Sequence, residues 1–549
     1  MALHDFRRLR EIAESFAMGG FSYYINKAKL GRCISLRCRI RCLLRRHCDC
    51  LPDAHSLPVH FRKVIEGLGP TFVKFGQLLS LRPDVIPVEY CEELRKLQDN
   101  VPGFPYQEVE LTIEQDLGKP ISAIFSSFEK KPIAAASIAQ VHSARLKNGL
   151  RVAVKILRPG VPETINQDIR LMEKIAGLFE KYIEESRPFR PKRFVQEFKD
   201  WTLREIDFRN EASHMQEMRE LFKDNTHLQI PRTYPHYATK RVLVMEYMEG
   251  THIDDDAGLK KIHADRRQLA INGVRLMMEQ TLVHGIFHGD PHPGNLLVKN
   301  KEKFIFLDFG IVGRLSQRQR RKISIYLTYL FQRDLERALR HLLDLAELTE
   351  GSDVEGFRRK AMDILSACYG SLETNSLSQA FFQSVAAGVP HRVYFPADLV
   401  LLSKAFVTTE SVGRNLYPQF SILRDAREPV ESTLRSQIGP RQSLQNLLRN
   451  SLDYSDLIEE APIHAMKMIN MIERGEVKVK VDTKSFTEYL GELHEEHNIR
   501  VLSTIVAALI VGSAITSFIQ QGPPHMLSLS MIQIYVALGL SLWIVRYAK

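Results

Sequence analysis

The chain has 549 residues, too many for one ordinary hydrophobic core, so two or three domains are expected. At 44% hydrophobic and 26% charged it reads as folded rather than disordered. The formal charge of +10 is unevenly placed, because residues 1–50 hold 11 Lys or Arg against 4 Asp or Glu.

The first segment, residues 1–60, is basic. Between Phe16 and Cys48 it has eight basic residues and no acidic one. Such a run is either a solvated helix face or a patch drawn to anionic lipid headgroups, at roughly 1 kcal/mol per basic residue. No recognised DNA- or RNA-binding motif accompanies it, so nucleic acid is not an expected partner. Five of the seven cysteines stand at 33, 38, 42, 48 and 50. They lack paired C-x-x-C units, and the odd total argues against a disulfide framework, so reduced thiols facing the cytosol are expected. Asp5, Glu11 and Glu14 break the start of the chain and argue against a secretory signal or an organellar transit peptide.

IAAASIAQVHSARLKNGLRVAVK, from Ile133 to Lys155, ends like a nucleotide-binding strand. It begins with alanines and a serine where a phosphate-cradling loop carries glycines. Alanine resists the positive φ angles that glycine accepts, so phosphates would be held by a stiffer backbone. Lys155 should reach the nucleotide phosphates, steadied by a carboxylate on a following helix. Glu205, Asp207 and Glu211 in REIDFRNEASHM are the candidates. On one continuous helix Glu205 and Asp207 would lie about 200° apart, and Glu205 and Glu211 about 240° apart. They cannot share one partner, which suggests two lysines and two carboxylates. VLVMEYMEG, 242–250, fits a lobe-linking segment whose backbone near Glu246 and Met248 would bind adenine; an edge strand and turn is its competing reading.

FHGDPHPGNLLV from Phe287, then FIFLDFG from Phe304, carries the densest chemistry. Asn295 follows Asp290 by five residues, and Asp308 opens a DFG 13 residues further on. In phosphoryl transfer by kinase-like sites the first Asp faces the attacking hydroxyl, while the Asn and the DFG Asp ligate metal. Mg²⁺ prefers these hard oxygen ligands. His292 could touch phosphate or make a structural hydrogen bond in its tight loop. The flanking runs Leu296–Val298 and Phe304–Leu307 look like short strands.

Residues 314–497 are mostly helical in pattern, with turn signals at Gly351-Ser352, Gly388-Val389-Pro390 and Gly439-Pro440. His494-Glu495-Glu496-His497 is one residue short of the zinc-protease H-E-x-x-H and reads as a charged helix end. Val501–Ile519 and Met526–Val545 are uncharged runs of 19 and 20 residues, each long enough to cross a hydrocarbon core. QQGPPH between them makes a turn without Lys or Arg, whereas Arg500, Arg546 and Lys549 flank the outer ends. Both ends are therefore expected on the cytosolic side. Small residues from Gly512 to Ser517 suit close helix packing, within the hairpin or between the subunits of a homodimer.

With these motifs in order, the sequence resembles the UbiB family of atypical kinase-like proteins over roughly residues 60–430. TFVKFGQLLSLRPD at 71–84 is similar to its K-x-G-Q signature, AAASIAQV at 134–141 to its alanine-rich loop, and Glu205-Ile206-Asp207 to its E-x-D; HGDPHPGN resembles its catalytic loop. His214 stands where the family commonly has Asn. The resemblance implies an α+β, protein-kinase-like bilobal fold with an N-terminal helical extension and a C-terminal transmembrane helical hairpin. The expected divisions are 1–60, 61–130 (K-x-G-Q extension), 131–250 (small lobe with helical insertion), 251–497 (large lobe) and 498–549 (hairpin). It further implies that Lys74 and Gln77 belong to a cover over the active site, with Lys74 paired to a carboxylate of the E-x-D. Ala134, Ala135, Ala136, Ser137, Ile138, Ala139, Gln140, Val141 and Lys155 would contact nucleotide. The implied cofactors are ATP and Mg²⁺. The implied activity is ATP hydrolysis, or a restricted kinase, coupled to ubiquinone biosynthesis at a bacterial cytoplasmic membrane. Anionic lipids, quinone precursors and other enzymes of that biosynthesis are the implied partners.

Overall fold

The computed structural model describes residues 3–35, 38, 57–80, 82, 85–97, 102–370, 376–438 and 536. They fall, except Val536, in a compact unit spanning Met1–Gln445. Among the described residues no helix is long and apolar enough to cross a membrane. The expected hairpin, the turn at Gly439-Pro440 and the His494–His497 cluster lie outside the described residues.

The small lobe is built on an antiparallel sheet in the order Phe125–Phe128, Ala139–Leu146, Arg151–Leu157, Val242–Glu246, with Ala134–Ala135 folded back onto the second strand. The first strand precedes the expected boundary at 131. Strand residues alternate between faces. On Arg151–Leu157 this sends Val152, Val154 and Ile156 into a cluster with Val109, Ile113, Val242 and Val244. Ala153 and Leu157 join the cluster on the other face, and Lys155 shares that face. The strand is thus buried on both sides, which accounts for its unbroken apolar run around a single lysine.

Helices Val161–Tyr182 and Pro191–Glu205 form the insertion. A new helix, Phe208–Leu221, starts immediately after, its first turn capped by the Asp207 carboxylate accepting from the Arg209 N–H at 3.2 Å. The chain therefore breaks between Glu205 and Asp207, and the single-helix angles assumed for the three carboxylates do not apply.

The large lobe holds a four-stranded sheet in the order Leu228–Gln229, Lys303–Phe306, Leu296–Lys299, Thr251–His252. Ile286–His288 pairs with Val312–Arg314. Helices Arg266–Met278 and Ala397–Leu416 pack together beneath the site. Gly351 turns with φ 88°, in the left-handed region that glycine tolerates.

The N-terminal helices lie against the insertion. Arg8 of helix Leu3–Phe16 reaches the buried Asp168 carboxylate at 2.8 Å and the Leu68 carbonyl at 2.6 Å. Lys27 pairs with Glu185 at 2.7 Å and Lys29 lies 4.3 Å from the centre of the Tyr182 ring. These three cations of the basic segment are engaged by the protein itself. Cys33 is a free thiol. Helix Pro70–Ser80 carries the K-x-G-Q residues. Its Gly76 is required by close approach: a Cβ there would stand 2.5 Å from Leu97 and 2.8 Å from Ile65 side-chain atoms. Phe75 docks edge-on against Phe194 and Phe198 of the insertion.

Candidate active site

Lys155 Nζ donates to both Glu211 oxygens, at 2.8 and 2.9 Å, and stands 3.3 Å from Asp308 Oδ2. The strand presents the lysine, and the first turn of helix Phe208–Leu221 presents the glutamate. Burial works against the Lys155 charge, but Asp308 and Glu211 outweigh it and hold the ammonium above its ordinary range. Burial pushes the Glu211 carboxyl up to about 7, against the pull of Lys155. Burial also acts on Asp308, yet Lys155 and the Gly310 N–H, which donates to Oδ1 at 2.8 Å, keep it well below the usual carboxylate range.

Lys74 pairs with Glu205 across the gap between extension and insertion. The two lysines thus take Glu211 and Glu205. Asp207 takes neither: besides capping its helix, it binds Arg209 at 2.6 and 2.9 Å.

The catalytic loop and the DFG are tied together. Leu307 N–H donates to the Asn295 carbonyl at 3.1 Å and Gly289 N–H to the Ile311 carbonyl at 2.9 Å. The His288 ring is buried, packs against Phe306 and Phe309, and accepts from the Asp290 N–H at 3.1 Å. Burial lowers its pKa, so the ring stays neutral. His292 accepts from the Gly294 N–H at 2.9 Å, which makes it the cap of its own turn. His214, the departure from the expected Asn, hydrogen-bonds through Nδ1 to the Phe309 carbonyl at 3.1 Å and steadies the DFG backbone.

A cavity of about 1200 Å³ joins these parts. Asp290, Asn295, Asp308, Lys74, Gln77, Glu205, Ala135 and Ala136 all line it. Its other walls carry Leu78, Phe198, Trp201, Phe382 and Leu401. The alanine loop is a tight hairpin in which Ala134 and Ala135 pair with Val141 and Gln140, and Ala136 N–H donates to the Ala139 carbonyl at 2.7 Å. None of its residues has a positive φ, so alanine meets no backbone strain there. Ser137, Ile138, Ala139 and Gln140 are buried, and Val141 packs against the core. The Gln140 amide is pinned to the Phe104 backbone, accepting at 2.9 Å and donating at 3.3 Å, so its side chain serves the fold. Glu246 pairs with Val152 across the sheet and accepts from the Arg232 N–H at 3.1 Å. Met248 follows in the irregular link to Thr251. Ala135→Gly is expected to loosen the hairpin by about 0.5–1 kcal/mol and change nucleotide affinity or turnover. Titration with a fluorescent ATP analogue checks it, and identical binding and turnover would remove loop stiffness from the account.

Asn295 and Asp308 fit a metal of the Mg²⁺ type. Asn295 Nδ2 donates to the Asp290 carbonyl at 3.2 Å, which keeps its amide oxygen for a cation. Among the described residues no cluster of three or more His, Cys, Asp or Glu could hold a metal alone. The two oxygens of Asn295 and Asp308 would suit an ion shared with phosphates, since Mg²⁺ is usually held by one or two protein oxygens plus phosphate and water.

Sequence reasoning missed Lys404. Its Nζ lies 2.5 Å from Asp290 Oδ1. It is a lone cation in the apolar stretch ADLVLLSKAFV, which was the available signal.

A catalytic-loop Asp and Asn and a DFG Asp around one cavity, with a strand lysine held by a helix glutamate against that DFG Asp, define a kinase-like site. Profiles for the ABC1 atypical kinase-like domain and the UbiB helical domain match residues 96–342 and 364–421. The chain is 32% identical over 465 residues to the "Probable protein kinase UbiB" of Tolumonas auensis, covering 83% of this chain and 85% of that one. It is 35% identical over 402 residues to the protein of the same description from Marinobacter nauticus, covering 72% and 74%. An uncharacterized protein of Synechocystis is 33% identical over 427 residues, covering 76% and 73%. The chain belongs to the UbiB family of atypical kinase-like proteins.

Proposed function

We propose that the protein is a membrane-anchored, Mg-ATP-dependent ATPase that assists ubiquinone biosynthesis in a bacterium, by giving access to quinone precursors in the cytoplasmic membrane. The observation that carries this reading is the K-x-G-Q helix as a wall of the catalytic cavity. Lys74 and Gln77 line the same cavity as Asp290 and Asp308, so the extension would narrow the way in for an extended peptide acceptor. Asn295 and Asp308 would hold a Mg²⁺ ion, which would supply positive charge to offset the charge developing on the phosphates. Lys155, steadied by Glu211, would orient the nucleotide, Asn295 and Asp308 would offer oxygens, and Asp290 would take the proton of the attacking oxygen.

Anchoring by residues 498–549 and attraction of the basic N-terminal segment to anionic lipid would bring the cavity to its apolar partners. The second reading is a true kinase for a lipid, a small molecule or a protein; the apolar walls beside Asp290 favour a small acceptor over a peptide.

Phosphate release by the purified protein with Mg-ATP, with and without anionic liposomes, tests the proposal. Liposome-stimulated release without an added acceptor is expected. ATP binding without release under either condition would overturn it in favour of a kinase with an acceptor still to be supplied.

A further inference from the structure

The catalytic loop from Phe287 to Asn295 contains no Lys or Arg. A nearby cation stabilises a carboxylate in a partly desolvated cavity, and Asp290 shares its cavity with a second carboxylate, Asp308. That cation comes from 114 residues further along the chain. Leu401, Lys404, Thr408 and Ser411 fall at i, i+3, i+7 and i+10 on helix Ala397–Leu416, one face of which lines the cavity. Ser403, Ala405 and Phe406, on its other faces, are buried. The helix is thus locked in rotation, and its single lysine is aimed at Asp290.

We propose that Lys404 is a positioning residue for phosphoryl transfer, through which the UbiB helical domain completes the kinase-like active site by fixing Asp290 as proton acceptor. The pair joins the two matched domains, since Asp290 lies within residues 96–342 and Lys404 within 364–421. The inference rests on the phosphoryl-transfer reading of the site and applies equally to hydrolysis and to transfer onto an acceptor.

The geometry divides the labour between the two carboxylate oxygens. Oδ1 is taken by Lys404, which leaves Oδ2 for the attacking oxygen of water or a hydroxyl. That oxygen forms its bond to the γ-phosphorus and yields its proton to Asp290. The bond from the γ-phosphorus to the bridging oxygen breaks, and that oxygen departs with the electron pair on ADP. Asp290 is faced by Lys404 from the helical domain, by His288 and His292 from its own loop, and by Asp308 from the DFG. Asp398 and Arg314 line the same cavity.

Lys404→Met and Lys404→Arg, each alone and with Asp290→Asn, test this in the full-length protein. Three readings are taken: thermal stability, affinity for a fluorescent ATP analogue, and kcat. A stability coupling between positions 290 and 404 is expected. So is a loss of kcat in Lys404→Met of roughly 10²-fold or more with nucleotide affinity held within about twofold. Lys404→Arg, which keeps a cation facing Asp290, should recover most of that kcat. Absence of stability coupling, a kcat loss matched by an equal loss of nucleotide affinity, or a kcat loss that arginine does not rescue overturns the inference and leaves Lys404 a packing residue. If the coupling is present but the wild-type protein neither releases nor transfers phosphate, the phosphoryl-transfer reading fails and the role of Lys404 in it falls, while the ion pair itself stands.

Discussion

Asp308→Asn is expected to lower metal-dependent phosphate release by roughly 10³-fold or more while the fold survives. Asparagine keeps an oxygen for the Gly310 N–H, now 2.8 Å from Oδ1, so the DFG turn retains its local hydrogen bond. What is lost is the negative charge beside Lys155 and one of the two hard oxygens offered to a metal. Stability should also change in its dependence on pH. A carboxyl held below its unfolded pKa contributes stability that is complete above about pH 4 and is lost as pH falls through the folded value. Wild type should therefore show an acid limb in its melting temperature that Asp308→Asn partly flattens. Phosphate release and melting temperature are read on the same preparations. Turnover equal to wild type would sink the assignment of Asp308.

The second large effect is expected from Lys155→Met. It removes the cation from a glutamate that is almost wholly buried, and breaking such a pair by deleting one partner costs about 3–5 kcal/mol. Nucleotide binding should fall with it. Because burial already pushes Glu211 up to about 7, the orphaned carboxyl can protonate in mildly acidic solution and must ionise at alkaline pH. The stability deficit should accordingly grow as pH rises through neutrality. Adding Glu211→Gln should recover most of the melting temperature and none of the nucleotide affinity. A deficit that is flat with pH and unrelieved by Glu211→Gln would mean that the pair is not what holds this part of the lobe.

The sequence by itself determined the local pieces. VAVK announced a strand because its alternating residues are buried on two faces. HGDPHPGN and DFG announced loops because Gly, Pro and Asp dictate tight turns with carboxylates at fixed spacing. The alanine loop was legible as a backbone needing no positive φ. The count of two lysines and two carboxylates also emerged, although the reason given assumed a single helix where the chain breaks at Asp207. Neither the break nor the diversion of Asp207 to Arg209 could be read from spacing, since a capping Asp and a site Asp look the same. The requirement for Gly76 needed Leu97 and Ile65 brought against it.

Only the tertiary structure decided which charges meet. Lys74 and Glu205 are separated by 131 residues, and Asp290 and Lys404 by 114. Periodicity and turn chemistry act over a few residues, whereas partners so distant are chosen by how the helical extension and the helical domain pack against the kinase-like lobes, burying apolar faces whose orientation no local signal carries.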